Sequence, residues 1–443
     1  MKKEVLSAIG AALVCGLVLL LVLLPSNSAA PGTTGPAAPI TKPTTRPTTG
    51  PNSVTRPTTC PTQPTTQPTI PPQTVPSATL PAPEPTTPIP PETTLPPTPG
   101  VVRVYTCDLN LLAVYAELAV EYYQATGTEV ILQTPESGQS CEEALTALLA
   151  SDNAPTLFCI HTQEMFDIVQ DQLYDLTGTH AAQQLYGDAF AIKTNGKTLA
   201  LALDVAGNGL IYNASKLAAA AWTDEDLVDF TDLSIAVSNI TANKGYAFTA
   251  PDFTDTHLME HLAGLYPDGT QLRAFVDLYF KNCTSKTTTL NYFLKGTTVF
   301  YIGGTRDYDQ VASLGTANLR FLPAYSASTT AVQCFSDHYW AVGSNASNAD
   351  IQETIRFLNW MVTAQNGSAP VDRLGLLAPY QDAKFCRNIL EEKLREYIVS
   401  GNANVSWSVT GNVKDLDAFT AALKAYKASA TEENWAAVVA TLG

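Results

Sequence analysis

The chain has 443 residues, with 41 acidic against 25 basic side chains and a formal net charge of −16. That balance excludes a nucleic-acid binder, because backbone phosphates would be repelled rather than neutralised. The length allows two or three domains, but the composition is so uneven that it must be divided before that prior is used.

Met1-Lys2-Lys3 precedes an apolar run from Val5 to Leu24, about 20 residues and enough to span a bilayer. We read residues 1–24 as an uncleaved membrane anchor with its lysines on the cytoplasmic side. A cleaved signal segment is the competing reading. The length of the run and Pro31, directly after Ser28-Ala29-Ala30, both disfavour it. Val14 stands where a bacterial lipobox needs a small residue, which argues against a lipidated Cys15. Residues 25–100 are almost wholly Pro and Thr, as in TKPTTRPTTGP and TTQPTIPP. Such a segment lacks the apolar groups that offset chain ordering, and its prolines hold it near extended polyproline II. It reads as a disordered stalk that holds the rest of the chain away from a membrane.

Residues 101–443 form the globular part, which is more than one core usually supports, so two lobes are expected. Val101–Tyr105 predicts a buried strand. Asp108 then caps a helix in which Leu112, Tyr115, Ala116, Ala119 and Tyr122 recur at helical spacing, ended by Gly127. Val130–Leu132 is a second strand, Ser140 with Glu143 a capping box for the next helix, and Thr156–Ile160 a third strand. This alternation predicts a parallel sheet with right-handed crossovers, in which ligands bind beyond the carboxyl ends of the strands. Those ends carry Asp108, Glu136 and His161. Farther on, Leu199–Leu203 reads as a strand, Gly207-Asn208-Gly209 as a turn and Leu210–Tyr212 as a strand. Residues 222–301 are more helical. Thr298–Ile302 is a strand broken by Gly303 and Gly304, Leu319–Leu322 and His338–Val342 are strands, and Ile351–Val362 is an amphipathic helix.

Several of these stretches, in this order, resemble ABC-transporter extracellular solute-binding proteins of the maltose-binding-like, carbohydrate-uptake group. They are LASDNAPTLF, KTLALALDVAGNGLIYNASKL, FLKGTTVFYIGGTRDYDQV, LRFLPAY and SDHYWAVGSNASNADIQETIRFLNWMVT. The resemblance implies an α/β, two-lobed periplasmic-binding-protein-like fold of type II, its lobes joined by crossover strands around a ligand cleft. Mapped onto this chain, it gives one lobe from about 101–205 and 324–375 and another from about 206–323 and 376–443. It also implies hinge closure on a small solute, a carbohydrate or oligosaccharide, and delivery to ABC permease subunits. No catalysis and no cofactor are implied, and the protein is expected to be monomeric. With the anchor and stalk, this is the surface of a Gram-positive bacterium: outer face of the cytoplasmic membrane, globular part extracellular. The alternative is a surface sensory or adhesion module that keeps the fold without transport.

Two departures touch the site. Arg306 stands where the family often has a sugar-stacking Trp after the glycine-rich turn, and Asn208 stands where an aromatic residue is common. The ligand-facing residues are expected to be Asp108, Glu136, His161, Asp204, Asn208, Arg306, Asp307, Asp337, His338 and Tyr339. His257-Leu-Met-Glu260-His261 matches the inverted zinc-protease motif. A metal site needs a third ligand, and the next glutamate is Glu353 in another helix, so we read the pair as surface or packing histidines and expect no metal. Gly303-Gly304-Thr305 lacks the lysine of a Walker loop. Cys107 and Cys159 end strands that would be neighbours, which makes a disulfide between them one option. Spacing alone leaves the pairing open.

Overall fold

The computed structural model describes residues 100–443 except 244, 267, 287–288, 326–329 and 385. The expected anchor, and all but the last residue of the expected stalk, lie outside the described residues. The first sheet has the order β2-β1-β3-β10-β5-β4. Strands β1 (Val102–Tyr105), β2 (Val130–Gln133) and β3 (Leu157–Ile160) are parallel, with β1 between the other two. Helix α1 (Leu109–Thr126) makes the first crossover. The Asp108 side chain accepts from the backbone N–H of Asn110, and Gly127 ends the helix at φ 76°, a conformation that suits a residue without Cβ. Its buried face is Leu111, Tyr115, Leu118 and Tyr122, one step round from part of the predicted stripe. Helix α2 (Cys141–Leu149) begins with the expected Ser140–Glu143 capping box.

Strand β10 (Tyr339–Val342) runs antiparallel between β3 and β5 (Lys197–Ala202), and β4 (Ala191–Thr194) closes the edge as a hairpin with β5. Asn195 and Gly196, at φ 53° and 77°, form its two-residue turn, the combination that matches right-handed strand twist. Trp340 is fully buried in β10 and donates from its indole to the Tyr115 hydroxyl at 3.0 Å.

The second sheet has the order β11-β9-β6-β7, with β8 also on β6. Its members are β6 (Ala206–Asn213), β7 (Phe300–Gly304), β8 (Leu319–Leu322), β9 (Val332–Phe335) and β11 (Ala403–Ser406). Two expectations change here. Gly207–Gly209 is not a turn but the buried start of β6, and Gly303-Gly304 does not break β7. Asn208 pairs with Gly304 and Gly209 with Gly303. A Cβ on Gly209 would lie 2.5 Å from the Leu322 carbonyl, and one on Gly304 2.6 Å from the Gly207 carbonyl. The glycines are there so that strands can approach, not to stop them. A third change concerns β9, assigned above to the first lobe. It pairs with β6 and β11 in the second sheet, so the crossing expected at about Pro323 falls between Phe335 and Tyr339.

Helices α3 (Gln163–Val169), α4 (Phe230–Ala242), α5 (Thr256–Ala263), α6 (Gly269–Lys281), α7 (Asn348–Val362), α8 (Ile389–Val399), α9 (Leu416–Ala428) and α10 (Glu432–Val439) cover the sheets. The apolar interior falls into two clusters. One is centred on Val104, Phe158, Leu201 and Trp340, the other on Leu233, Leu262, Phe275 and Phe300.

The disulfide joins Cys107 to Cys141, with Cα atoms 5.8 Å apart, and Cys159 is a free, buried thiol. Register explains the correction. Tyr105 pairs with Phe158, so Cys159 lies level with Thr106, and side chains one residue out of step point to opposite faces. Cys159 instead lies against Tyr115, its sulfur 4.0 Å from the hydroxyl.

Candidate functional site

Short segments pass between the sheets at Leu203–Val205 and Ser336–His338, and both carry carboxylates. Asp204 is buried at 1% exposure, a position a charged group holds only with partners. Its Oδ2 accepts from Arg306 at 2.6 Å and its Oδ1 from the Ser336 hydroxyl at 3.0 Å, with His338 Nδ1 at 3.4 Å. Arg306 comes from the turn after β7, pairs through its other nitrogen with Asp337, and lies over the Phe335 ring at 4.8 Å. One guanidinium therefore ties the second sheet to both crossings.

His338 continues the cluster into the first lobe. Its Nε2 is 3.8 Å from Asp108 Oδ2, and its ring meets His161 edge-on at 4.9 Å between centroids. Burial works against a charge on His338, but the Asp204 carboxylate beside it outweighs that and holds its pKa above the ordinary value. Burial likewise opposes the Asp204 charge, and His338, Arg306 and Ser336 overcome it, keeping the carboxyl below its usual range. His161, with burial dominant and His338 next to it, is pushed down towards the neutral form.

Next to this cluster is a hollow of about 760 Å³, lined by His161, Thr162, Glu164 and Asp167 from β3–α3 and by Trp407 and Lys414 from the other side. Tyr339 is buried and packs its ring on Trp407 at 4.6 Å, and Phe166 lies 5.8 Å from the same indole. Trp407 is half-buried. Reading the sequence missed it, because Ser406–Ser408 has neither helical nor strand periodicity; the only signal was a tryptophan in a polar segment. Hollows of about 540 Å³ by Tyr212, Arg320 and Tyr397 and about 860 Å³ by Val120 and Tyr123 also exist. Neither is lined by a residue of the carboxylate cluster, so the one beside Trp407 is the candidate.

Three of the expected residues are placed elsewhere. Glu136 is exposed on the loop after β2, apart from the cluster. Asn208 is buried, its amide nitrogen donating to the carbonyls of His261 (3.1 Å) and Val409 (3.3 Å) and its Oδ1 facing His261 Nδ1 at 2.7 Å. Asp307 turns inward beneath Arg306. Its Oδ1 is 2.7 Å from His257 Nε2, and its Oδ2 accepts from the Gly304 N–H at 2.8 Å and lies 3.7 Å from His261 Nε2. The expected lack of a third ligand near the H-x-x-E-H histidines is thus corrected: Asp307 supplies a candidate one, and His257, His261 and Asp307 gather within 4.8 Å. Asp108, His161, Asp204, Arg306, Asp337, His338 and Tyr339 are brought together.

Comparison with known proteins defines the family and the fold. The chain belongs to the bacterial extracellular solute-binding protein family, which it matches over residues 117–384. Comparison with curated proteins gives no match. Among solved structures, the apo-form of RafE from Streptococcus pneumoniae is similar at TM-score 0.59 with 10% identity, covering 78% of this chain and 98% of that one. A cyclic alpha-maltosyl-1,6-maltose binding protein from Arthrobacter globiformis has TM-score 0.57 and 16% identity, covering 78% and 98%. A family 1 extracellular solute-binding protein from Bifidobacterium longum subsp. infantis gives 0.58 and 14%, covering 77% and 98%. The fold is the two-lobed, type II periplasmic-binding-like arrangement. Among the described residues no helix is long and apolar enough to cross a membrane.

Proposed function

We propose that this chain is the cell-surface receptor of an ABC importer, taking up an uncharged carbohydrate or oligosaccharide by hinge closure and presenting it to a permease. The carrying observation is that Arg306 is already matched by Asp204 and Asp337. The Arg306 guanidinium is thus not left over for an anionic solute, and Lys414 on the far wall of the hollow faces Glu164 and Asp167 among its lining residues, while Asp108 and Asp337 offer hydroxyl-accepting oxygens and Trp407 an aromatic surface. Hydroxyl-rich, uncharged ligands need that pairing of acceptors with an apolar face. Two structural neighbours are described as binding cyclic maltosyl-maltose and raffinose, which supports the same class here. The apolar run at 5–24 and the Pro/Thr-rich segment would tether a monomeric receptor to the outer face of a Gram-positive membrane.

The experiment is a thermal-shift screen of neutral oligosaccharides against organic anions. A saccharide at about 100 times its Kd stabilises by about 2.7 kcal/mol and raises Tm, and the anions do not. A shift with anions alone would overturn the assignment. A second reading, a sensory or adhesion module without transport, is favoured by Arg306, paired with Asp204 and Asp337, standing where a sugar-stacking Trp is common. It predicts no shift with any small solute.

A further inference from the structure

The H-x-x-E-H stretch on α5 has a structural partner that its spacing does not reveal. His257 and His261, one turn apart, present their rings on the same side, with centroids 4.4 Å apart. Asp307, from the turn after β7, is placed between them, its Oδ1 at 2.7 Å from one Nε2 and its Oδ2 at 3.7 Å from the other. Four-coordinate zinc, bound at about 2.0–2.2 Å to nitrogen and oxygen, needs ligand atoms about 3.3 Å apart. The observed separations are 2.7 and 3.7 Å, with all three ligand atoms within 4.8 Å of one another, so side-chain shifts of about 1 Å would bring them to that value. The backbone makes space for this arrangement. A Cβ on Gly303 would lie 2.5 Å from Asp307 Oδ2, and one on Gly304 2.7 Å from His261 Cε1.

The hydrogen bonds fix which nitrogen of His261 is free. Asn208 spends its N–H groups on the carbonyls of His261 and Val409, so the atom facing His261 Nδ1 is Oδ1, which can only accept. The ring proton is therefore on Nδ1, and Nε2 turns a lone pair towards a carboxylate oxygen. That lone pair faces Asp307 Oδ2 across 3.7 Å, a gap in which a cation could be held by both atoms. A hydrogen-bond acceptor on the remote ring N–H of a ligating histidine is the usual arrangement around protein-bound metals, and Asn208 Oδ1 is such an acceptor here. His257, a third exposed at its side chain, leaves the fourth position open to water.

We propose that His257 Nε2, His261 Nε2 and Asp307 bind one divalent transition-metal ion of the zinc type, beneath the turn that carries Arg306. The ion is structural. It pins that turn to α5, and its binding is independent of any solute. Glu260, between the two histidines, is not a ligand.

The test uses the full chain, purified without a polyhistidine tag, stripped with chelator and titrated with cobalt(II) and then zinc(II). One cobalt per chain is expected, with the visible band of a four-coordinate ion, abolished by one equivalent of zinc. His257→Ala and Asp307→Asn should each weaken zinc binding at least about tenfold, while Glu260→Gln leaves it unchanged. Absence of stoichiometric zinc and of the cobalt band in the unaltered protein would overturn the site, whether or not the variants fold. So would retention of both in His257→Ala, or their loss in Glu260→Gln.

Discussion

Replacing Arg306 with Met removes the guanidinium but keeps much of the stem that packs on Phe335. The consequence follows from Asp204, whose side chain is 2% exposed while that of Arg306 is 40% exposed. Leaving a buried carboxylate without its partner costs about 3–5 kcal/mol when both groups are fully buried. Here water can reach part of the vacated site, and Ser336 and His338 still contact the carboxylate, so about 2 kcal/mol is expected. Loss of the cation over the Phe335 ring adds about 0.5 kcal/mol. The sum corresponds to a Tm lower by about 5 °C in a protein of this size. Asp204→Asn in the Arg306→Met background should restore most of this, because the uncompensated charge is gone. A thermal melt of the two single variants and the double variant gives the coupling directly. If Arg306→Met shifts Tm by less than about 1 °C, or the two changes simply add, the guanidinium does not tie the crossings together.

Three further outcomes are expected. With metal removed, His261 contributes stability that is present above pH 6.5 and lost as the pH falls towards about 4, since its folded pKa lies below its unfolded one. The difference, 6.5 − 4, is worth about 3 kcal/mol, and His261→Asn should flatten that part of a Tm-versus-pH curve. Gly304→Ala places a Cβ 2.6 Å from the Gly207 carbonyl and 2.7 Å from His261. It should cost about 1–3 kcal/mol, read as a lower urea midpoint with an unchanged slope. Trp407→Ala should weaken binding of the identified saccharide about tenfold by calorimetry, with the melting temperature of the free protein changing far less than in Arg306→Met.

The parts of the fold legible in the sequence are those set by local chemistry. Asp108, Ser140 and Gly127 mark helix ends because caps act within a turn, and Val102–Tyr105 and Leu157–Ile160 read as strands because parallel strands are apolar on both faces. What depended on distant partners was not legible. Glycines at 207, 209, 303 and 304 look like breakers until the Leu322 and Gly207 carbonyls opposite them are seen. Strand β11, four residues of mostly half-buried character, has no periodicity to betray it. The Cys107–Cys141 link follows from a register that spacing does not encode. In the candidate site, the carboxyl ends of the first strands gave Asp108 and His161, and the structure places both beside His338. Asp307 and Asn208 were placed in the right neighbourhood, yet their side chains turn to His257 and His261 on a helix 50 and 53 residues away in the chain. No local pattern specifies which side of a turn a carboxylate takes.

The central claim, that the lobes capture an uncharged sugar, is tested most directly by small-angle scattering of the full chain with and without each saccharide that raises its Tm. The account predicts a smaller radius of gyration on saturation with one sugar per chain, and no change with organic anions. An unchanged radius with every saccharide, or compaction only with an anion, would contradict it.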